Sequence, residues 1–251
     1  MPPPTAAPHP HPGPLSCPRV AAPPPQAVRT TWFSDRHVRI SLPRPGDAAR
    51  VARHLATHRP EGLIDLIPAA TSVLLEFNPD RIDDETLLLR LEALAGEWSS
   101  LPASPPEALT LIPFCADPDL APDLESLAAE KSLEPRGFLE RFCAAEFTVD
   151  FLGFMPGFAY LRGLPGDLAA SRLERPRTRV PAGSVGIGGD RAGVYPFDSP
   201  GGWRLIGRTP LTLFDPARQS PALLSAGMAV RFVLVPRDRF EALRRSTPPV
   251  P

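Results

Sequence analysis

The sequence predicts a chain of two domains: an α+β unit of ferredoxin-like βαββαβ pattern over residues 27–114, then a mainly-β barrel or sandwich over 115–240. Three observations predict it. Up to residue 114, strand-like and helix-like apolar periods follow one another in the order strand–helix–strand–strand–helix–strand. Beyond Phe147 helical periodicity largely stops, and short apolar runs recur between Gly and Pro turns, as in all-β folds. Twelve of the 18 glycines also fall between Gly153 and Gly207, too densely packed among Phe, Trp and Val for a linker. Glycine lets a ligand or another part of the chain approach the backbone closely, so this stretch is the place to look for a site.

Residues 1–26 contain eleven prolines. Proline fixes φ and lacks an N–H, so this tail is expected to be disordered and partly polyproline II. His9 and His11 within it are read as incidental rather than as metal ligands. After a Ser34-Asp35 turn, Val38, Ile40 and Leu42 alternate as a strand with one buried face. Asp47 is expected to cap a helix on which Ala48, Val51, Ala52 and Leu55 share a stripe. His54 and His58, four residues apart, are assigned to its solvated face. Gly62–Ile67 and Ser72–Phe77 read as strands, and Asp83 or Asp84 starts a helix turning Leu87, Leu88, Leu91 and Leu94 to the core. After the Pro102–Pro106 break, Ala108–Phe114 supplies the last strand of the βαββαβ order.

Two short helices are expected next. One lies within Asp117–Glu130, and the other opens at Pro135 and carries Phe138, Leu139 and Phe142. Strands are expected at Phe147–Leu152, around Val180, and at Ser184–Ile187, Ala192–Tyr195, Trp203–Ile206, Leu211–Phe214 and Ala229–Val235. Residues 236–251 are polar, Arg-rich and Pro-terminated, and the tail 241–251 is expected to fray.

Composition excludes several function classes. A formal net charge of -1 gives no electrostatic footprint for nucleic acid or a membrane surface. No apolar run approaches the roughly 20 residues that span a bilayer, and no signal-peptide h-region is recognised. Cys17, Cys115 and Cys143 are odd in number and far apart, against a disulfide framework or a zinc site and in keeping with the cytoplasm. All five histidines precede residue 59, so the Gly-rich stretch has no imidazole of its own for general-base or triad chemistry. Lys131 is the only lysine, and no phosphate-loop motif occurs. The spacing GSVGIGG (183–189) does not fit a dinucleotide fingerprint.

Three segments can carry chemistry. Phe154-Met155-Pro156-Gly157-Phe158 sets aromatic rings around a tight turn, as core filling first and as an apolar binding wall second. The run Arg175–Ser184 contains Arg177, which can clamp a carboxylate or phosphate, and Pro181-Ala182-Gly183-Ser184, whose hydroxyl or amide can face an anion. Ser199-Pro200-Gly201-Gly202-Trp203, followed by Arg208-Thr209, suits a polar pocket with one aromatic wall. No Ser–His pair can be built locally, so Ser184 and Ser199 are poor nucleophiles, and Asp190, Asp198 and Asp215 are the nearby carboxylates. No residue is assigned as catalytic.

PGFAYL (156–161), PRTRVPAGSVGI (176–187), YPFDSPGGWRLIGRTP (195–210) and LFDP (213–216) closely resemble the KipI / 5-oxoprolinase B-subunit family, also known under an older allophanate hydrolase name. PEGLIDLIPAATSVLLEFNP (60–79) and PDLESLA (122–128) extend the resemblance more weakly. It implies a cyclophilin-like β-barrel after a small α+β domain. It also implies partners: a cyclophilin-like C subunit and a LamB/YcsF-type A subunit, which together open 5-oxo-L-proline to L-glutamate with ATP bound at the level of the complex. The site would be shared between the B and C subunits. Carried over as substrate- or partner-binding positions are Phe154, Pro156, Gly157, Phe158, Arg177, Pro181, Gly183, Ser184, Ser199, Pro200, Gly201, Gly202, Trp203, Arg208 and Thr209. Two other roles compatible with the resemblance are a KipI-like inhibitor that binds a sensor histidine kinase and an accessory role in urea or allophanate metabolism. The sequence departs from the family where Phe142-Cys143-Ala144 stands in place of a frequent His-Thr/Ser-Ser segment.

Overall fold

The computed structural model describes residues 29–44, 46–98 and 109–246. The Pro-rich tail expected over 1–26 and the Pro102–Pro106 break lie outside the described residues.

Strands β1 (Arg29–Trp32), β2 (His37–Ser41), β3 (Leu63–Pro68) and β4 (Ser72–Phe77) form an antiparallel sheet in the order β1-β2-β4-β3. Alternation puts Val38, Ile40, Val73, Leu75 and Phe77 on one face. Against that face pack Val51, Ala52 and Leu55 of α1 (Asp47–Thr57) and Leu87 and Leu91 of α2 (Asp84–Trp98). Asp83 caps α2, its Oδ1 accepting the Thr86 N–H at 2.8 Å. Asp47 does not cap α1. Gly46 holds the cap position, and Asp47, in the first turn, pairs with Arg50 at 2.5 Å.

The βαββαβ expectation is corrected in its last strand. The split unit β2-α1-β3 is present, with β4 between its strands. The strand β5 (Thr110–Phe114), however, runs parallel to β13 (Ala229–Leu234) in a second sheet. Two physical reasons account for this. The place beside β2 is taken by β1, through the hairpin at 33–36. The buried face of β5 is Ile112 and Phe114, and Phe114 packs edge-on to Phe142 and Phe232, with ring centroids 6.0 and 5.7 Å away.

The second sheet has seven strands in the order β12-β9-β10-β7-β6-β13-β5. Its further members are β6 (Phe147–Leu152), β7 (Ala159–Arg162), β9 (Ser184–Gly188), β10 (Arg191–Val194) and β12 (Arg204–Arg208). The two end strands meet. Cys115 and Arg208 exchange N–H···O=C bonds of 2.8 Å in each direction, so the sheet closes into a nearly complete barrel. Inside lie Val149, Leu161, Val185, Ile187, Ile206 and Phe232, plugged at one side by Leu124 and Leu127 of α3 (Leu124–Glu130) and Phe138 and Phe142 of α4 (Pro135–Ala144). A two-stranded ribbon of β8 (Arg177–Val180) and β11 (Ser199–Gly201) completes the strands.

Two further expectations are corrected. Leu211–Phe214 is not a strand and makes only a single bridge, Phe214 to Ala222. The tail does not fray from 241: α5 (Arg237–Ser246) is helical, and residues 247–251 lie outside the described residues. One buried side chain, Phe240, anchors α5 against Cys115 and Leu120, and Arg237 pairs with Asp119 at 2.9 Å.

Candidate functional site

The glycines of β9 and β10 make a bare patch on the barrel wall, and Trp203 occupies it. A Cβ on Gly188 would stand 2.6 Å from Trp203 Cδ2, and one on Gly193 would stand 2.9 Å from Cζ3. The glycine density therefore has a specific cause, the close approach of an indole to the sheet. Trp203 is only 4% exposed. Phe158 and Tyr160 meet it with ring centroids at 5.5 and 5.7 Å, and Tyr195 meets Phe158 at 5.1 Å. These rings, with Val180 and Leu205, form a small core separate from the barrel interior. Burial pushes the Tyr195 phenol up, against the opposing effect of the Trp203 backbone N–H.

Outside this cluster is a hollow of about 210 Å³. Phe154, Phe158, Tyr160, Tyr195 and Trp203 wall it, and Arg172, Pro176, Pro200, Gly201 and Gly202 complete it. A second, more polar hollow of about 490 Å³ adjoins it and shares Tyr160, Arg172 and Trp203. Phe151, Ser171, Gly188, Gly189, Asp190 and Arg191 are its other walls. Its Arg191 is bonded to the buried Asp150, which also faces Arg162 at 3.6 Å.

Phe154 stands at the rim, 62% exposed, with a φ of 69°. A bulky residue in the left-handed region is strained, and such strain collects at functional surfaces. The turn holding it is closed by Gly153 N–H to Phe158 C=O at 3.1 Å. Gly157, at φ 79°, is obligatory there, because a Cβ would come within 2.7 Å of Phe214 Cβ.

The residues expected to form one site divide into two groups. Phe154, Phe158, Pro200, Gly201, Gly202 and Trp203 line the hollow. Pro181, Gly183, Ser184, Arg208 and Thr209 lie at the other end of β12, about 16 Å along the strand from Trp203. That second group builds the barrel closure. Arg208 Nε donates to the Ala182 C=O at 2.6 Å, Thr209 N–H to the Gly183 C=O at 2.8 Å, and the Ser184 hydroxyl to the Pro181 C=O at 2.7 Å. Burial disfavours the Arg208 charge, although an arginine stays protonated. Nearby, Asp198 is held below the usual carboxylate range by the Ala182 N–H and then by Arg179.

Arg177 is not free to hold a ligand carboxylate with the donor it spends inside the fold. Its Nη2 donates to Asp123 at 2.6 Å, and Asp123 also accepts the Leu205 N–H at 2.6 Å. This pair ties β8 to the start of α3 and to β12. Gly157 and Pro156 shape the turn under Phe154, and Ser199 sits on β11 with its Oγ buried and unbonded. No group of three potential metal ligands occurs among the described residues. His54 and His58 stack on each other at 4.3 Å. Burial raises both the Cys115 and the Cys143 thiol, which makes them poor nucleophiles. Phe142, at the family's frequent histidine position, lies in the barrel core rather than in the hollow.

Sequence reasoning missed Tyr160, Tyr195 and Arg172 as lining residues. The two tyrosines belong to the motifs already singled out, so proximity to Phe158 and Trp203 was the available signal. Arg172 had none, since it lies in an aperiodic loop before Pro176.

The family model "Carboxyltransferase domain, subdomain C and D" matches residues 28–224. The 5-oxoprolinase B subunit of Escherichia coli O157:H7 is 43% identical over 173 residues, covering 68% of this chain and 78% of that protein. The 5-oxoprolinase B subunit of Haemophilus influenzae is 36% identical over 209 residues, covering 80% and 95%. Among solved structures, TTHA0988 superposes with a TM-score of 0.70 at 30% identity. The match covers 86% of this chain but only 42% of that longer one. The Kluyveromyces lactis urea carboxylase superposes at a TM-score of 0.65 and 20% identity over 88% of this chain and 23% of its own, a likeness of fold alone.

Proposed function

The chain belongs to the 5-oxoprolinase B-subunit family, built on the carboxyltransferase domain, subdomain C and D, and from that premise we propose that it is the B subunit of an ATP-dependent complex that hydrolyses 5-oxo-L-proline to L-glutamate. The observation that carries this is the aromatic hollow beside Trp203. Its volume of about 210 Å³ suits a small ring rather than a drug-sized ligand. Its lining has no carboxylate, imidazole or lysine to move a proton or activate water. The hollow therefore serves to hold and desolvate, and the groups that do chemistry come from elsewhere.

Opening a lactam requires a polarised carbonyl and an attacking oxygen. In the proposed complex this chain contributes the apolar wall of Phe158, Tyr160 and Trp203. A cyclophilin-like C subunit closes the hollow over Phe154, and a LamB/YcsF-type A subunit brings the ATP-dependent step. The barrel is then the cyclophilin-like half of a site shared by the B and C subunits in the cytoplasm. Among the described residues no helix is long and apolar enough to cross a membrane. The exposed Phe154 is also what a KipI-like inhibitor of a histidine kinase would present to its partner.

Reconstitution separates the two roles. Mixed with the A and C subunits, ATP and 5-oxoproline, the chain is expected to give glutamate release that stops when the chain or ATP is omitted. Equal release without this chain contradicts the proposal. No release, with tight binding to a histidine kinase, favours the inhibitor.

A further inference from the structure

Two arginines line the hollows, Arg172 and Arg191, and Arg177, Arg204 and Arg208 stand in the motifs beside them. Arg177 is bonded to Asp123, Arg191 to Asp150, Arg204 to Glu130, and Arg208 to the Ala182 carbonyl. Of the two that line the hollows, Arg172 is the one with no hydrogen bond or ion pair among the described residues. It lies where the apolar and polar hollows meet, and borders both. Its guanidinium carbon stands 5.8 Å from the Trp203 ring centroid, within the range at which an indole face attracts a cation. The indole restrains the guanidinium while leaving its donors open, the state in which an arginine fork binds a planar anion.

We infer that Arg172 is the carboxylate-recognising residue of the aromatic hollow, and that the ligand class is a small, mostly apolar ring bearing one carboxylate. The ring lies against Phe158, Tyr160 and Trp203. The carboxylate projects towards the polar hollow and takes the Arg172 fork. This deepens the proposed oxoprolinase role and rests on the hollow being the substrate half-site. Arg177 and Arg208, by contrast, each spend a donor inside the fold, Nη2 on Asp123 and Nε on the Ala182 carbonyl.

Calorimetric titration of the purified full chain with 5-oxo-L-proline and with its uncharged primary amide tests this. The acid is expected to bind about tenfold or more tighter than the amide, the ratio a charge-assisted bond to carboxylate supports. Arg172→Ala should abolish that preference with the melting temperature unchanged, because the side chain is exposed and unpaired. Arg172→Lys should restore part of it, as the charge returns without the fork. Equal affinity for the two compounds, no binding of either, or a preference that survives Arg172→Ala overturns the inference. An acid preference that vanishes in Arg172→Ala, in a chain whose complex releases no glutamate, leaves the carboxylate site standing and removes the oxoprolinase function.

Discussion

Asp123→Asn is expected to destabilise the chain by about 3 kcal/mol, the low end of what breaking a buried ion pair costs. Asp123 is 6% exposed and accepts from both Arg177 and the Leu205 backbone. The amide keeps the shape but leaves the Arg177 charge without its counter-charge in a half-buried place. Urea unfolding measures this as a shift in midpoint at constant slope. The double variant Asp123→Asn/Arg177→Met should recover much of the loss, because it removes the stranded charge as well as its partner. A single-variant effect under about 0.5 kcal/mol would show that the pair is held too close to solvent to matter. The expected result gives Arg177 a part in the architecture of the ribbon and α3.

Gly188→Ala is expected to cost about 1–3 kcal/mol, the usual range for overpacking, and to deform the hollow. The added methyl would press on both the Cδ2 and Cε2 atoms of Trp203, each 2.6 Å away. The indole is seated against the sheet and walls both hollows, so it has to leave its seat. A lower melting temperature together with an altered near-ultraviolet tryptophan signal is the expected pair of readouts. Gly166→Ala is the control, because a Cβ there meets nothing within 4 Å. Equal effects of the two substitutions would mean that the indole seat contributes nothing specific.

What the sequence made legible follows from how local each signal is. Alternation in Val38–Leu42 and Ser72–Phe77, the stripe of α1 and the start of α2 at Asp83 or Asp84 depend on near neighbours and read correctly, whereas the Asp47 cap, just as local, did not, because Gly46 takes that position. The partner of β5 does not depend on near neighbours. Thr110 pairs with Val230 from the far end of the chain, and local alternation says only that one face is buried. The helix α5 was hidden for a similar reason. Its polar composition outweighs a single Phe240, yet that one ring and the Arg237 pairs hold it in place. At the site, the clustering of glycine around Trp203 was plain, but its cause, an indole laid across Gly186, Gly188 and Gly193, needed the pairing of β9 with β10 and β12. The two groups of candidate residues looked like one because they are contiguous in sequence. An extended strand carries Trp203 and Arg208 to opposite ends of the barrel wall.

The central claim is that the aromatic hollow is one half of a site completed by another chain. Hydrogen exchange on this chain, with and without the cyclophilin-like C subunit, tests it most directly. The amides of Phe154, Met155, Gly157 and Phe158 and of Gly201–Trp203 are expected to exchange more slowly in the complex, because the proposed partner would cover the rim on which Phe154 is exposed. Protection confined to the Arg208 closure or to α5, with the rim exchanging as in the free chain, would contradict it.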